Sequence, residues 1–124
     1  MRPNILLIED CPETQQSVCE TLQQQGYNVS TISDAGRAFT EIEEWARQYN
    51  LVIIEEAMAA SSGLRLLREA RSKRKDLPVV VVTRNGDWDG YALAVSEGAT
   101  SYMPCPVDRG ELLTTVEEAL RSAS

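Results

Sequence analysis

Histidine is missing from this chain altogether. Its absence excludes histidine-based catalysis and a phosphohistidine relay within the chain, and it works against zinc and haem sites. Cysteine is scarce. Cys11, Cys19 and Cys105 make an odd count with no close pair, so no disulfide framework is expected. No apolar run approaches the length of a membrane span, and the start Met1-Arg2-Pro3-Asn4-Ile5 lacks the apolar segment of a signal peptide. A cytoplasmic protein without membrane contact is the expectation. Basic residues are outnumbered, 12 Lys and Arg against 19 Asp and Glu, for a net charge of -7. Direct nucleic-acid binding is therefore not expected, because such surfaces are normally basic.

What is present fits one domain over residues 1–124, with 43% hydrophobic residues to build a core. Asn4 to Ile8 is a continuous apolar run ending in Glu9-Asp10, the pattern of a buried parallel strand. Pro12 to Gln25 reads as a helix, with Pro12 in the first turn, Val18 and Leu22 inward, and Gly26 as the stop. Tyr27 to Ile32 alternates as a half-exposed strand does. Ser33 or Asp34 caps a second helix running to about Tyr49, with Phe39, Ile42, Trp45 and Ala46 at helical spacing. Leu51 to Ile54 is a third strand, Glu56 to Ser62 reads as a loop, and Gly63 opens a third helix. That helix has a basic end from Arg71 to Lys75, read as a solvated terminus favoured by the helix dipole. Val79 to Val82 is the clearest strand. A shorter helix from Asp87 to Gly98, a brief strand at Ser101 to Met103 and a helix from Val107 to Ala123 capped by Asp108 complete the chain. Strands alternating with helices over short links imply a parallel sheet covered on both faces.

Sites in such open sheets form outside the carboxyl ends of the strands. Here those ends carry Glu9-Asp10, Glu55, Thr83 and Pro104-Cys105-Pro106. Taken singly, an acid after a strand often does no more than cap the next helix. Together, three carboxylates and a hydroxyl on successive strands form an oxygen-rich site of the kind that suits Mg²⁺.

These residues resemble the receiver domain of bacterial response regulators. Ile5 to Asp10 is similar to that family's first strand and acidic pair. Leu51 to Glu55, with Met58 and Gly63 following, is similar to the phosphoacceptor strand and loop. Val79 to Thr83 and Gly98 to Pro106 are similar to the last two strands with their Thr and aromatic positions. The resemblance covers residues 3 to 121. It implies a flavodoxin-like three-layer α/β/α sandwich with a five-stranded parallel sheet in the order 2-1-3-4-5. It also implies Glu9 and Asp10 as the Mg²⁺ pair with Glu55 beside them, Thr83 as the phosphoryl-sensing hydroxyl and Tyr102 as the aromatic switch. Partners implied by the family are a sensor histidine kinase or another signalling protein, or an output domain following residue 124. The docking surface runs over Trp88 to Ser96, Tyr102 and Val107 to Leu120, with Trp88 and Tyr91 as large contact residues. A dimer is allowed.

The chain departs from the family pattern at the chemistry. Glu55 stands where the acceptor aspartate belongs, and Cys105 where the lysine belongs. Arg84 replaces a usually small residue, and Ala59 stands where proline is common. The extra methylene moves the carboxylate by roughly 1.5 Å, and misplacement on the order of 1 Å can cost about 100-fold in rate. A neutral thiol does not supply the lost cation. The expectation is a signalling interaction module, not an enzyme, without standard aspartate phosphorylation. Two further readings stand beside it: a phosphoaccepting receiver with an unusual acceptor, and a flavodoxin-like enzyme or nucleotide binder, disfavoured because no Gly-rich loop follows the first strand.

Three carboxylates in one place need an offset. Mg²⁺, a raised carboxyl pKa and an Arg84 guanidinium folded over the site are the candidates. Glu55 in the place of a phosphoaspartate leaves two expectations open: an active-like rest of Thr83 and Tyr102, or a partial or absent effect, because a carboxylate has fewer acceptor oxygens and less charge than a phosphoryl group. Glu56 is expected to face away. Cys11 and Cys105 are considered as a redox pair, with idle thiols as the ordinary alternative.

Overall fold

The computed structural model describes residues 2–84 and 88–123, the side chains of 58–62 and 88 excepted. Five strands form one parallel sheet: β1 (Asn4–Ile8), β2 (Asn28–Ile32), β3 (Leu51–Glu55), β4 (Val79–Thr83) and β5 (Ser101–Pro104). Their order is β2-β1-β3-β4-β5, the flavodoxin-like arrangement expected. The helices are α1 (Pro12–Gln24), α2 (Ala35–Thr40), α3 (Ile42–Gln48), α4 (Met58–Lys73), α5 (Trp88–Ser96) and α6 (Arg109–Ser122).

Two apolar layers hold the sheet. Ile5, Leu7, Leu51, Ile53, Val80 and Val82 point to one face and pack with Val18 and Leu22 of α1 and Leu112 and Val116 of α6. Their neighbours Leu6, Ile8, Val52, Ile54, Val79 and Val81 point the other way, onto α2, α3, α4 and α5. Successive strand residues alternate between faces, so a strand covered on both sides reads as an unbroken apolar run. β3 and β4 are buried at every position. β2 lies at the edge, where only Ile32 is fully buried, which accounts for its polar alternation.

Two helix bounds expected from the sequence are corrected. The helix read from Asp34 to Tyr49 is two helices that meet at Glu41. Asp34 caps the first, its Oδ2 accepting from the Arg37 N–H at 2.8 Å. Near the break, the Ala38 carbonyl accepts from the indole N–H of buried Trp45 at 2.8 Å. Phe39, Ile42, Trp45 and Ala46 keep helical spacing through this join, so the pattern hides it. The second correction concerns α4, which starts at Met58 rather than at Gly63. The Ala/Ser stretch read as a loop is its first turns, in keeping with alanine's high helix propensity. Gly63 is there for space. A Cβ on it would sit 2.4 Å from the Glu55 carbonyl oxygen and 2.7 Å from the Glu56 Cα.

The other elements agree with expectation within a residue or two, but the basic end of α4 is not simply solvated: Arg71 donates to the Leu77 and Gly98 carbonyls at 2.6 Å each, and Arg74 to that of Tyr49 at 2.7 Å. Asp108 caps α6, accepting from the Glu111 N–H at 2.8 Å. The expected start of the fourth helix, Asp87, lies outside the described residues. Among those described, no helix is long and apolar enough to cross a membrane.

Candidate functional site at the carboxyl edge of the sheet

The strand order decides what meets at this edge. β1, β3 and β4 are adjacent, with Ile8 paired to Ile54 and Glu55 to Val82. The residues that follow these positions, Glu9-Asp10, Glu55 and Thr83-Arg84, therefore emerge side by side.

Glu9 is buried and Asp10 exposed. The Glu9 Oε2 accepts from the Cys11 N–H at 3.1 Å. Burial pushes its carboxyl above the ordinary range, while the Cys11 hydrogen bond and Arg84 pull it back. Glu55 is 1% exposed. Its Oε1 accepts from the Ala57 N–H at 2.8 Å, so the carboxylate is tied to the start of the next loop. Its Oε2 is buried and has no hydrogen-bond partner among the described residues. Burial raises the Glu55 pKa to about 7, with the charges of Glu9 and Asp10 adding to the effect and Arg84 and the Ala57 N–H opposing it.

Arg84 lies over the acids. Its Nη2 is 2.5 Å from Asp10 Oδ1 and 3.4 Å from Glu9 Oε2, and its Nε is 3.6 Å from Glu55 Oε2. Of the offsets considered from the sequence, two are therefore present together: the guanidinium and a raised carboxyl pKa.

Thr83 is buried at the end of β4, and its carbonyl accepts from the Cys105 N–H at 2.7 Å. Cys105 is half-buried and precedes a cis peptide to Pro106. Burial, with the Glu55 and Glu9 charges behind it, pushes its thiol up to about 11. At neutral pH Cys105 is a thiol and supplies no charge. Cys11 is a free thiol too, pulled below its ordinary value by hydrogen bonds from Thr14.

The oxygen donors are of the hard type that Mg²⁺ prefers, but their arrangement does not fit a metal. The guanidinium contacts all three carboxylates. Among the described residues, no group of three or more His, Cys, Asp or Glu is set to hold an ion.

Tyr102 is half-buried on β5. Its hydroxyl donates to Glu56 Oε2 at 2.9 Å, and its ring meets that of Tyr91 edge to face, centroids 5.7 Å apart. Glu56 does leave the acceptor position, as alternation requires, but it has a task that the sequence reading missed. The signal lay in register. The Glu56 N–H donates to the Val82 carbonyl, and Val81 pairs with Tyr102. A single sequence does not give that register. Tyr91, Leu93 and Val95 of α5 are 43%, 47% and 48% exposed. The side chains of Trp88 and Ala59 lie outside the described residues.

Comparison with known proteins bears on this edge. A family model described as the response regulator receiver domain matches residues 5–117. Among curated relatives, the two-component response regulator PhoP of Pseudomonas aeruginosa is 29% identical over 97% of this chain and 52% of its own. The C4-dicarboxylate transport transcriptional regulatory protein DctD of the same organism is 32% identical over 94% of this chain and 25% of its own. The chain thus spans about half or less of the length of these relatives. A solved receiver domain from Clostridium thermocellum superposes with a TM-score of 0.88 at 28% identity, covering 97% of this chain and 95% of that one. A CheY-like receiver domain from Methanospirillum hungatei shares the fold with a TM-score of 0.89 at 24% identity, over 99% and 97% of the two chains. The acidic edge, the sheet order and these matches agree: the chain belongs to the response regulator receiver domain family.

Proposed function

We propose that this receiver domain signals by protein contact and does not form the usual acyl phosphate. The observation that carries the reading is Glu55 at the acceptor position. Its carboxylate is buried and held to the Ala57 N–H, and it faces a guanidinium in place of open space. Phosphoryl transfer depends on in-line placement and on cations around the transferring group. Glu55 displaces the nucleophile, Cys105 withholds one cation, and Arg84 spends another on the three acids. The domain on this reading is a single unit over residues 1–124, acts in the cytoplasm, and is not itself an enzyme. Its partners are signalling proteins or an output domain joined to it, which docks over α5, β5 and α6. The exposed Tyr91, Leu93 and Val95 support that surface, since aromatic and apolar groups are enriched at the centre of contacts.

The test is intact-protein mass spectrometry after incubation with Mg²⁺ and acetyl phosphate. Three proteins are compared: wild type, Glu55→Asp with Cys105→Lys, and that pair combined with Arg84→Ala. The reading expects wild type to stay unmodified and at least the triple variant to gain one phosphoryl group. A modified wild type would show a working phosphoacceptor and overturn the reading.

A further inference from the structure

We propose that Arg84 is the resident cation of this edge, a guanidinium built into the chain that takes the place of a divalent metal among Glu9, Asp10 and Glu55. The inference concerns the unphosphorylated site and so goes beyond the question of phosphoryl transfer. Two observations carry it. One is the guanidinium itself, in ion pairs with all three carboxylates. The other is Glu55 Oε2, buried and, among the described residues, without a hydrogen-bond donor, so that Arg84 is the cation that faces it while the Ala57 N–H holds Oε1.

Position explains the reach. Arg84 follows the last residue of β4, next to β3 and one strand further from β1. Adjacent strands lie roughly 4.8 Å apart. A long side chain leaving β4 can therefore cross above β3 and arrive at the acids after β1. The contact distances rise in another order, shortest to exposed Asp10 and longest to buried Glu55. The head group thus sits at the mouth of the cluster, where a metal from solution would have to enter. An Arg84 that merely pointed to solvent would make none of these pairs.

A tethered cation has a consequence that a free one lacks. Its effective concentration at the site is on the order of millimolar or more and does not depend on the solution. A metal must displace it as well as bind. Arginine keeps its charge at every working pH, so the block is permanent. Removing Arg84 would leave two buried acids and one exposed acid without their shared cation and free to draw together, an all-oxygen set of the hard type that Mg²⁺ or Mn²⁺ takes.

Paramagnetic broadening by Mn²⁺, read on backbone amides by NMR without any phosphodonor, tests the inference. Calorimetric titration with Mg²⁺ accompanies it. In wild type, the amides of Glu9, Asp10, Glu55 and Thr83 should show no saturable broadening at millimolar metal. Arg84→Ala should gain saturable broadening there and bind at least tenfold tighter than wild type. Arg84→Lys should retain much of the block. Should Arg84→Ala fail to fold, Arg84→Gln takes its place, and a melting transition raised by Mg²⁺ in that variant but not in wild type supports the inference. Wild type binding Mn²⁺ at these amides as tightly as the Arg84 variants would overturn it, and so would a folded variant as blind to metal as wild type. Because no phosphodonor is present, these outcomes are separate from the mass-spectrometric ones.

Discussion

Replacing Glu55 with glutamine should flatten the dependence of stability on pH. Glu55 titrates at about 7 in the folded chain against an ordinary value of 4.5, chiefly because it is buried. A carboxyl raised on folding holds its proton more tightly in the native state. Its contribution is therefore complete below about 4.5, is lost as pH rises through about 7, and is constant beyond. The interval of about 2.5 units corresponds to roughly 3 kcal/mol. That is a large part of the ~5–15 kcal/mol that a domain of this kind has in total. The buried Oε2 fits this: ionised, it has no hydrogen-bond donor among the described residues, while Oε1 already accepts from Ala57. Urea denaturation of wild type and Glu55→Gln at intervals from pH 4.5 to 8.5 reads the effect. Glu9 is also raised by burial, with the same sign, so the difference between the two proteins is the quantity to compare. Wild type should lose about 3 kcal/mol more than the variant across that range. Parallel curves would refute the reasoning, because Glu55 would then be as well solvated or as well paired in the native state as in the unfolded one.

Gly63→Ala should lower stability by about 1–3 kcal/mol, a fall of roughly 4–12 °C in melting temperature, since its Cβ would press on the backbone of Glu55 and Glu56 and not on a side chain that can move. Tyr102→Phe and Glu56→Ala should each cost on the order of 1 kcal/mol, and a double-mutant cycle in urea should show that the two costs are shared; strictly additive costs would mean that the 2.9 Å contact carries no energy. Leu93→Ser should leave the melting temperature within the equivalent of about 0.5 kcal/mol, because the side chain is already 47% exposed, and a larger fall would show that α5 packs more closely than this.

The middle of the sheet was legible because its strands β1, β3 and β4 are buried on both faces. Val79 to Val82 has no polar face to disguise it, and the chain alternates such runs with helices. The helix break at Glu41 was not legible, because Phe39, Ile42, Trp45 and Ala46 keep a helical period through it and the join is made by an indole reaching seven residues back. Gly63 was visible as a landmark and misread as a start, since a packing glycine and a helix-opening glycine look alike until the backbone beside it is known. At the site, the residue types at each strand end were readable from the sequence alone. Their pairing was not. Arg84 over Asp10 spans 74 residues of sequence and Tyr102 to Glu56 spans 46, and both depend on strand order and register.

Two successive carboxylates divide this edge between them. Glu55 turns into the acidic cluster under Arg84, and Glu56 turns across the sheet to Tyr102, whose ring abuts Tyr91 on the exposed α5. The peptide that joins them is pressed against Gly63, leaving it little freedom to adjust one carboxylate without the other. A chain of contacts therefore runs from the cation site to the apolar surface of α5. Contiguity alone does not transmit anything; both ends must bias an element that has two arrangements. Arg84→Ala discriminates between the cases. If the β3–α4 junction is such an element, removing the guanidinium should shift the ring resonances of Tyr102 and Tyr91 in the otherwise wild-type chain and leave Tyr91 unmoved when Glu56 is already alanine. If the junction is rigid, Tyr91 should be silent in both backgrounds, and the acidic edge and the α5 surface would be neighbours without being coupled.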